Sequence, residues 1–337
     1  MLKYIVALVC LLFAPVHVAL AEEADQDILT NEELNQFELP EISVKEEAVL
    51  QQLADTPEEA NDEDVTALKE AIVRKDIIEN KAASLPFVFL PHRPNYIMPF
   101  AYMQSTYEDP YADILGEEWP GFQHWEAIFQ ISLKYQIYKF DKANRHKLFV
   151  AYTNKSYWQV YNSKLSRPFR ETNHEPELIY QFTPNWGYIN RVQLSLNHQS
   201  NGQYQQFSRS WNRLIAGFYH ADGNSIYGVE PWWRLPETSK ADPEDPTDND
   251  NPDIHSYIGY GNFIWLKKWK RFSALLRLGN NFQADNNRGW VELEWNFPVT
   301  PRVRGFLQYY EGYGHNLIEY DLYQRRIGLG FKISDYL

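Results

Sequence analysis

The strongest constraint on this chain is an alternation of period two. Near the end of the sequence Ile327, Leu329, Phe331, Ile333 and Leu337 share one parity, and Arg326, Gly328, Gly330, Lys332 and Ser334 share the other. Successive side chains of a β-strand point to opposite faces, so such a segment has one apolar and one polar face. The pattern recurs in His146 to Val160, Arg191 to Ser200, Trp211 to His220, Phe272 to Asn280, Trp290 to Phe297 and Arg302 to Tyr310, bounded by Asn, Asp, Gly or Pro. All of these are expected to be strands.

Two all-β architectures could use them. A secreted β-sandwich hides its apolar face, whereas a transmembrane antiparallel β-barrel turns apolar residues to lipid, polar ones to the lumen and aromatic girdles to both interfaces. The chain carries 11 Trp, 23 Tyr and 19 Phe, an excess that a sandwich leaves unexplained. About 252 residues from position 86 onward, at roughly 20 per strand and connection, give about 12 strands, an even number typical of bacterial outer-membrane barrels. An amphipathic strand at the end of the chain suits barrel closure.

Ahead of the strands the chain changes character. Met1 to Ala21 reads as a secretory signal: Lys3, the apolar run Tyr4 to Phe13, and Ala19-Leu20-Ala21 as the cleavage site. An N-terminal anchor is the alternative, but the run is short for a span and Pro15 interrupts it. The only cysteine, Cys10, lies in this segment, so the mature chain is expected to hold no disulfide, cysteine nucleophile or zinc–thiolate site. Residues 22–81 carry 19 acids against 5 bases, while residues 82–337 are balanced at 26 of each. The stretch 22–84 therefore reads as an acidic periplasmic extension, partly disordered, with a helix expected over 61–80 that starts at Asn61-Asp62-Glu63-Asp64 and uses Val65, Leu68 and Ile72. Residues 85–337 are the barrel. A net charge of −13 argues against a nucleic-acid partner.

One segment carries chemistry. In Arg191 to Asn212, RVQLSLNHQSNGQYQQFSRSWN, the residues Val192, Leu194, Leu196, His198 and Ser200 share a face. In a barrel that face meets lipid, where an imidazole and a hydroxyl are costly and suggest function. A turn near Tyr204 to Gln206 makes antiparallel partners sum to about 410, which sets His198 opposite Asn212 on the same outer patch. Ser200 is then the candidate nucleophile, His198 its general base, and Asn212 the residue that orients the imidazole. A neutral amide costs less to desolvate there than a carboxylate.

The runs His198 to Gly202 (H-Q-S-N-G) and Ser208 to Arg213 (S-R-S-W-N-R) resemble the signature of the outer membrane phospholipase A family, calcium-dependent enzymes of Gram-negative outer membranes. Ser166 to Asn173 (S-R-P-F-R-E-T-N) and Asp250 to Ile254 (D-N-P-D-I) agree with it. The resemblance implies a twelve-stranded barrel, inactive as a monomer and active as a calcium-bound homodimer, that hydrolyses acyl esters of phospholipids and lysophospholipids at both glycerol positions. It implies that the Gly202 amide contributes to an oxyanion hole. It further implies that Ca²⁺ is held by the Ser208 hydroxyl, the carbonyl of Gln203, the carbonyl of Ser166 from the other subunit and, at a second position, Asp250. The family's better-known members carry Arg where this chain has Gln203, a departure that a main-chain ligand tolerates. A weak calcium site with several waters fits so few protein oxygens. An EF-hand reading of Asp248 to Gly259 fails, because Asp253 stands where Gly is needed and Gly259 where Glu is needed.

Other residues receive plainer readings. His220, His255 and His315 show no ligand spacing and are expected in loops or at interfaces; Glu311 to Gly314 reads as a turn; Trp232, Trp233, Trp265 and Trp269 read as girdle aromatics. The competing functional class is a catalytically silent barrel, a pore or lipid-binding scaffold in the same outer-membrane lipid, which has no use for His198, Ser200 and Asn212 on its lipid face.

Overall fold

A computed structural model describes residues 80–81, 88–106, 121–141, 145–184, 186–204, 207–238, 249–300 and 302–334. The signal segment, and the acidic extension with its helix expected over 61–80, lie outside them except for Asn80 and Lys81, which are helical.

The strands are β1 (Leu90–Pro91), β2 (Asn95–Met103), β3 (Trp125–Lys139), β4 (His146–Trp158), β5 (Phe169–Phe182), β6 (Arg191–Ser200), β7 (Ser210–Asp222), β8 (Ser225–Arg234), β9 (Gly261–Trp269), β10 (Phe272–Asn280), β11 (Gly289–Thr300), β12 (Val303–Gly312) and β13 (Gln324–Ser334). From β2 onward each strand pairs antiparallel with its neighbour in sequence, and β13 pairs with β2, which closes the sheet. The short β1 pairs with β3 beside β2 (Leu90 with Lys134), so β1 and β2 are two pieces of one barrel strand. The result is a closed antiparallel β-barrel of twelve strands, the class that the alternation implies. Short turns, such as Gly223-Asn224 and Lys270-Arg271, lie at one end of the barrel, and the longer connections lie at the other. Transmembrane barrels show this asymmetry.

The expected inversion of polarity is present. On β13 the outward Leu329 is 42% exposed, whereas the inward Lys332 is 1% exposed. The lumen is packed with hydrogen-bonded polar groups. Arg93 binds Glu175 and Glu177, Ser195 donates to Glu177, and Asn197 donates to Glu175. A cavity of about 360 Å³ remains among residues including Lys155, Glu175, Arg213, Arg277 and Glu292. At the end with long connections, a short helix α1 (Ile254–Ile258) and Leu317 and Tyr320 of the β12–β13 connection pack on Trp211 and Trp232 in one apolar cluster. Turning the central outward residue of β13 into a charge, Leu329→Arg, is expected to cost about 2–4 kcal/mol. Urea titration of the barrel refolded in vesicles measures it; the smaller cost at an interface would place Leu329 away from the bilayer midplane.

Four expectations need correction. Glu311 and Gly312, read as part of a turn, are the last residues of β12. The sequence runs leave out β2, β5 and β8, which contain Pro99, Pro176 and Pro231, residues that break the pattern that reveals a strand. The ladder accommodates Pro99 through a register shift between Met98 and Ala101. Trp232 is not a girdle residue: it points inward, is buried, and donates its indole N–H to the carbonyl of Gly259 (3.1 Å). Its neighbour Trp233 is exposed on the outer wall. His315 belongs to a connection, as expected, but is buried inside and pairs with Glu319 (2.8 Å).

Candidate active site

The β6–β7 hairpin builds the site. Its register pairs His198 with Asn212 and Ser200 with Ser210, each pair summing to 410. His198 Nδ1 lies 2.9 Å from Asn212 Oδ1. An amide oxygen only accepts, so Nδ1 carries the proton and Nε2 keeps its lone pair. Ser200 shares the outward face of β6 two residues further on, and no hydrogen bond links its hydroxyl to His198 among the described residues. Such contacts are often loose before substrate arrives.

The turn after Ser200 is shaped by one side chain. Asn201 is buried; its Oδ1 accepts from the amides of Gln203 (3.3 Å) and Arg209 (2.9 Å), and its Nδ2 donates to the carbonyl of Phe207 (2.8 Å). Gly202 follows with φ +64°, a left-handed conformation that suits glycine. Inside the barrel, Arg213 binds Asn197 (2.8 and 3.0 Å) and Glu175 (2.8 Å), so the wall behind the site is fixed by buried, charge-assisted bonds.

The possible metal ligands divide. Ser208 and Asp250, 42 residues apart, meet through a hydrogen bond from the serine hydroxyl to the carboxylate (2.7 Å). Gln203 is exposed in the β6–β7 turn, and Ser166 is exposed in the β4–β5 connection, in a left-handed conformation (φ 57°). Among the described residues no three His, Cys, Asp or Glu gather as a metal cluster. The carboxylate and hydroxyl that meet here are hard oxygen donors of the kind Ca²⁺ takes, and the remaining positions of such a weak site would fall to main-chain oxygens and water. The segment carrying Asp250 is anchored: Tyr320 donates to Asp253 (2.6 Å), and burial together with that carboxylate pushes the phenol up, keeping it a neutral donor.

Two neighbours escaped the sequence reading. His174 of β5 pairs directly with Ser200, its ring faces Gly202, and its Nδ1 lies 2.6 Å from the Tyr152 hydroxyl. Glu237, after β8, accepts a hydrogen bond from Asn212. Parity within β5 could have placed His174 outward; no local pattern marks Glu237.

The family model described as Phospholipase A1 matches residues 73–333. The chain belongs to that family. This family member is 32% identical over 305 residues to Phospholipase A1 of Escherichia coli K12, covering 89% of this chain and 96% of the relative. Among solved structures it resembles a Salmonella typhi outer membrane phospholipase dimer with bound calcium, at 31% identity and a TM-score of 0.68, covering 77% of this chain and 98% of that one. A similar match is to Escherichia coli outer membrane phospholipase A in an active-site mutant with asparagine replaced by alanine, at 31% identity and a TM-score of 0.67, covering 75% of this chain and 94% of that one. The family membership and the barrel thus agree with the resemblance carried by H-Q-S-N-G and S-R-S-W-N-R.

Proposed function

We propose that this chain is an outer-membrane phospholipase that hydrolyses the acyl esters of phospholipids and lysophospholipids with Ser200, His198 and Asn212 on its lipid-facing wall. The observation that carries this reading is the His198–Asn212 hydrogen bond on the outward face that also presents Leu194 and Leu214, in a chain whose relatives are phospholipases. An asparagine named in an active-site mutant of the Escherichia coli enzyme supports the role given to Asn212.

His198 Nε2 takes the proton of the Ser200 hydroxyl as its oxygen attacks the ester carbonyl. The imidazolium that forms is held by the Asn212 oxygen. The Gly202 amide, in the left-handed turn after the nucleophile, stabilises the oxyanion. His198 then returns the proton to the departing lysophospholipid alcohol. Water, deprotonated by the same imidazole, releases the fatty acid from Ser200.

Ser208, the carbonyl of Gln203 and the carbonyl of Ser166 from a second copy would hold Ca²⁺, with Asp250 a ligand of a second calcium position. When bound, the ion supplies positive charge that favours the oxyanion. Ser166 lies on a different connection from Ser208 and Asp250, in keeping with a ligand given by a homodimer partner, and the dimeric, calcium-bound relative points the same way. The acidic extension 22–84 belongs to the periplasmic side in this reading.

Fatty-acid release from phospholipid–detergent micelles tests the calcium assignment. Excess chelator is expected to lower the rate at least tenfold, and added calcium to restore it. Full activity in chelator would remove the ion from the reaction.

A further inference from the structure

Asn212 has two hydrogen-bonding ends, and the structure assigns each a partner. Its Oδ1 faces His198 Nδ1 at 2.9 Å, and its Nδ2 donates to Glu237 Oε1 at 2.7 Å. Glu237 is itself held. Its other oxygen accepts from Arg234 Nη2 (3.1 Å), and Arg234 also donates to the carbonyl of Asn251 (2.7 Å) and to Asn249 Oδ1 (2.6 Å). Both charged side chains are shielded, Arg234 at 13% and Glu237 at 19% exposure. Leu235, between them, donates its amide to the carbonyl of Asn212 (2.8 Å), which ties the chain after β8 to β7.

This arrangement matters because an asparagine amide can face the imidazole in either of two ways. With Oδ1 toward the ring, Nδ1 is the protonated nitrogen and Nε2 is free to accept a proton. With Nδ2 toward the ring, Nδ1 must be the acceptor, so the proton sits on Nε2 and the base is lost. A carboxylate beside the amide removes the ambiguity: Nδ2 donates to it, whereas a reversed Oδ1 would face another acceptor.

Resting on the triad reading above, we propose that Glu237 is a positioning residue that locks the Asn212 amide and thereby selects the His198 tautomer able to act as base, with Arg234 fixing Glu237. The same arginine grips residues 249 and 251, on either side of Asp250. The segment bearing a proposed calcium ligand and the group orienting the triad are therefore braced by one side chain.

The test uses the full-length protein refolded in detergent, with rates measured on phospholipid micelles in calcium. Glu237→Ala is expected to lower kcat about tenfold, as loss of an outer-shell hydrogen bond typically does, with KM little changed. Glu237→Gln, which keeps an acceptor for Nδ2, recovers most of that loss. In an Asn212→Ala background, Glu237→Ala has no further effect, because the amide on which it acts is gone; a merely structural role would persist there. Wild-type kcat in Glu237→Ala, no recovery in Glu237→Gln, or an undiminished loss in the Asn212→Ala background overturns the proposal and leaves the triad standing. Undiminished activity in Ser200→Ala or Asn212→Ala alone would overturn the triad, and the role of Glu237 with it.

Discussion

Replacing Ser200 with alanine is expected to lower phospholipid hydrolysis by a factor on the order of 10⁴ or more. The substitution removes the only hydroxyl proposed to bond to the acyl group, so what remains is the small contribution of the oxyanion site and substrate binding. The barrel should be unaffected. Ser200 ends β6, its side chain bonds to no other described residue, and its neighbours in the ladder, His174 and Ser210, are paired through backbone. Fatty-acid release, read beside heat-modified gel mobility and circular dichroism, separates chemistry from folding. A folded Ser200→Ala barrel with wild-type hydrolysis would take the reaction away from this hydroxyl, whereas a folded wild-type barrel that releases no fatty acid would favour the silent pore or lipid-binding scaffold.

The largest stability effect is expected at Arg170 on β5. Its guanidinium donates twice to Glu126 of β3 (3.0 Å each), makes an ion pair with Glu319 (2.5 Å), and lies over the Tyr157 ring, 5.4 Å from its centre. Arginine and both carboxylates are at most 1% exposed. Removing one member of such a buried group strands the others, at a cost of about 3–5 kcal/mol. Arg170→Met should therefore lower the urea midpoint of the refolded barrel markedly. Combining it with Glu126→Met and Glu319→Leu removes all three charges, and the triple variant is expected to regain much of the loss. A single variant as stable as the wild type would mean that water reaches these carboxylates and solvates them.

Parity served the sequence reading best where lipid on one side and polar lumen on the other forced every second residue. β13 and β6 are legible for that reason, and the His198–Asn212 pairing followed from the turn alone, because a hairpin's register depends on local geometry. The pattern fades where prolines interrupt strands, as in β2 and β8, and where the outer face carries polar groups beside the site, as at Thr172 and His174 of β5. Trp232 was misplaced because composition cannot say which side of a wall a tryptophan occupies; the neighbouring Trp233 does face outward. Glu237 was invisible because it acts from an irregular connection, 25 residues from its partner. Ser208 and Asp250 were named through the family resemblance, while their contact came only with the fold.

The two networks also differ in how much chain they span. The imidazole–amide pair joins residues 14 apart on adjacent strands of one hairpin, a short loop whose closure costs little entropy. The Arg170 group joins three distant parts of the sequence, reaching from Glu126 to Glu319, and cannot form until nearly the whole wall is in place. During assembly the hairpin can zip early, but its lumenal support and the long connections above it arrive late. A barrel caught before closure would therefore carry its reactive groups already side by side, on a wall not yet stiff enough to hold them in register.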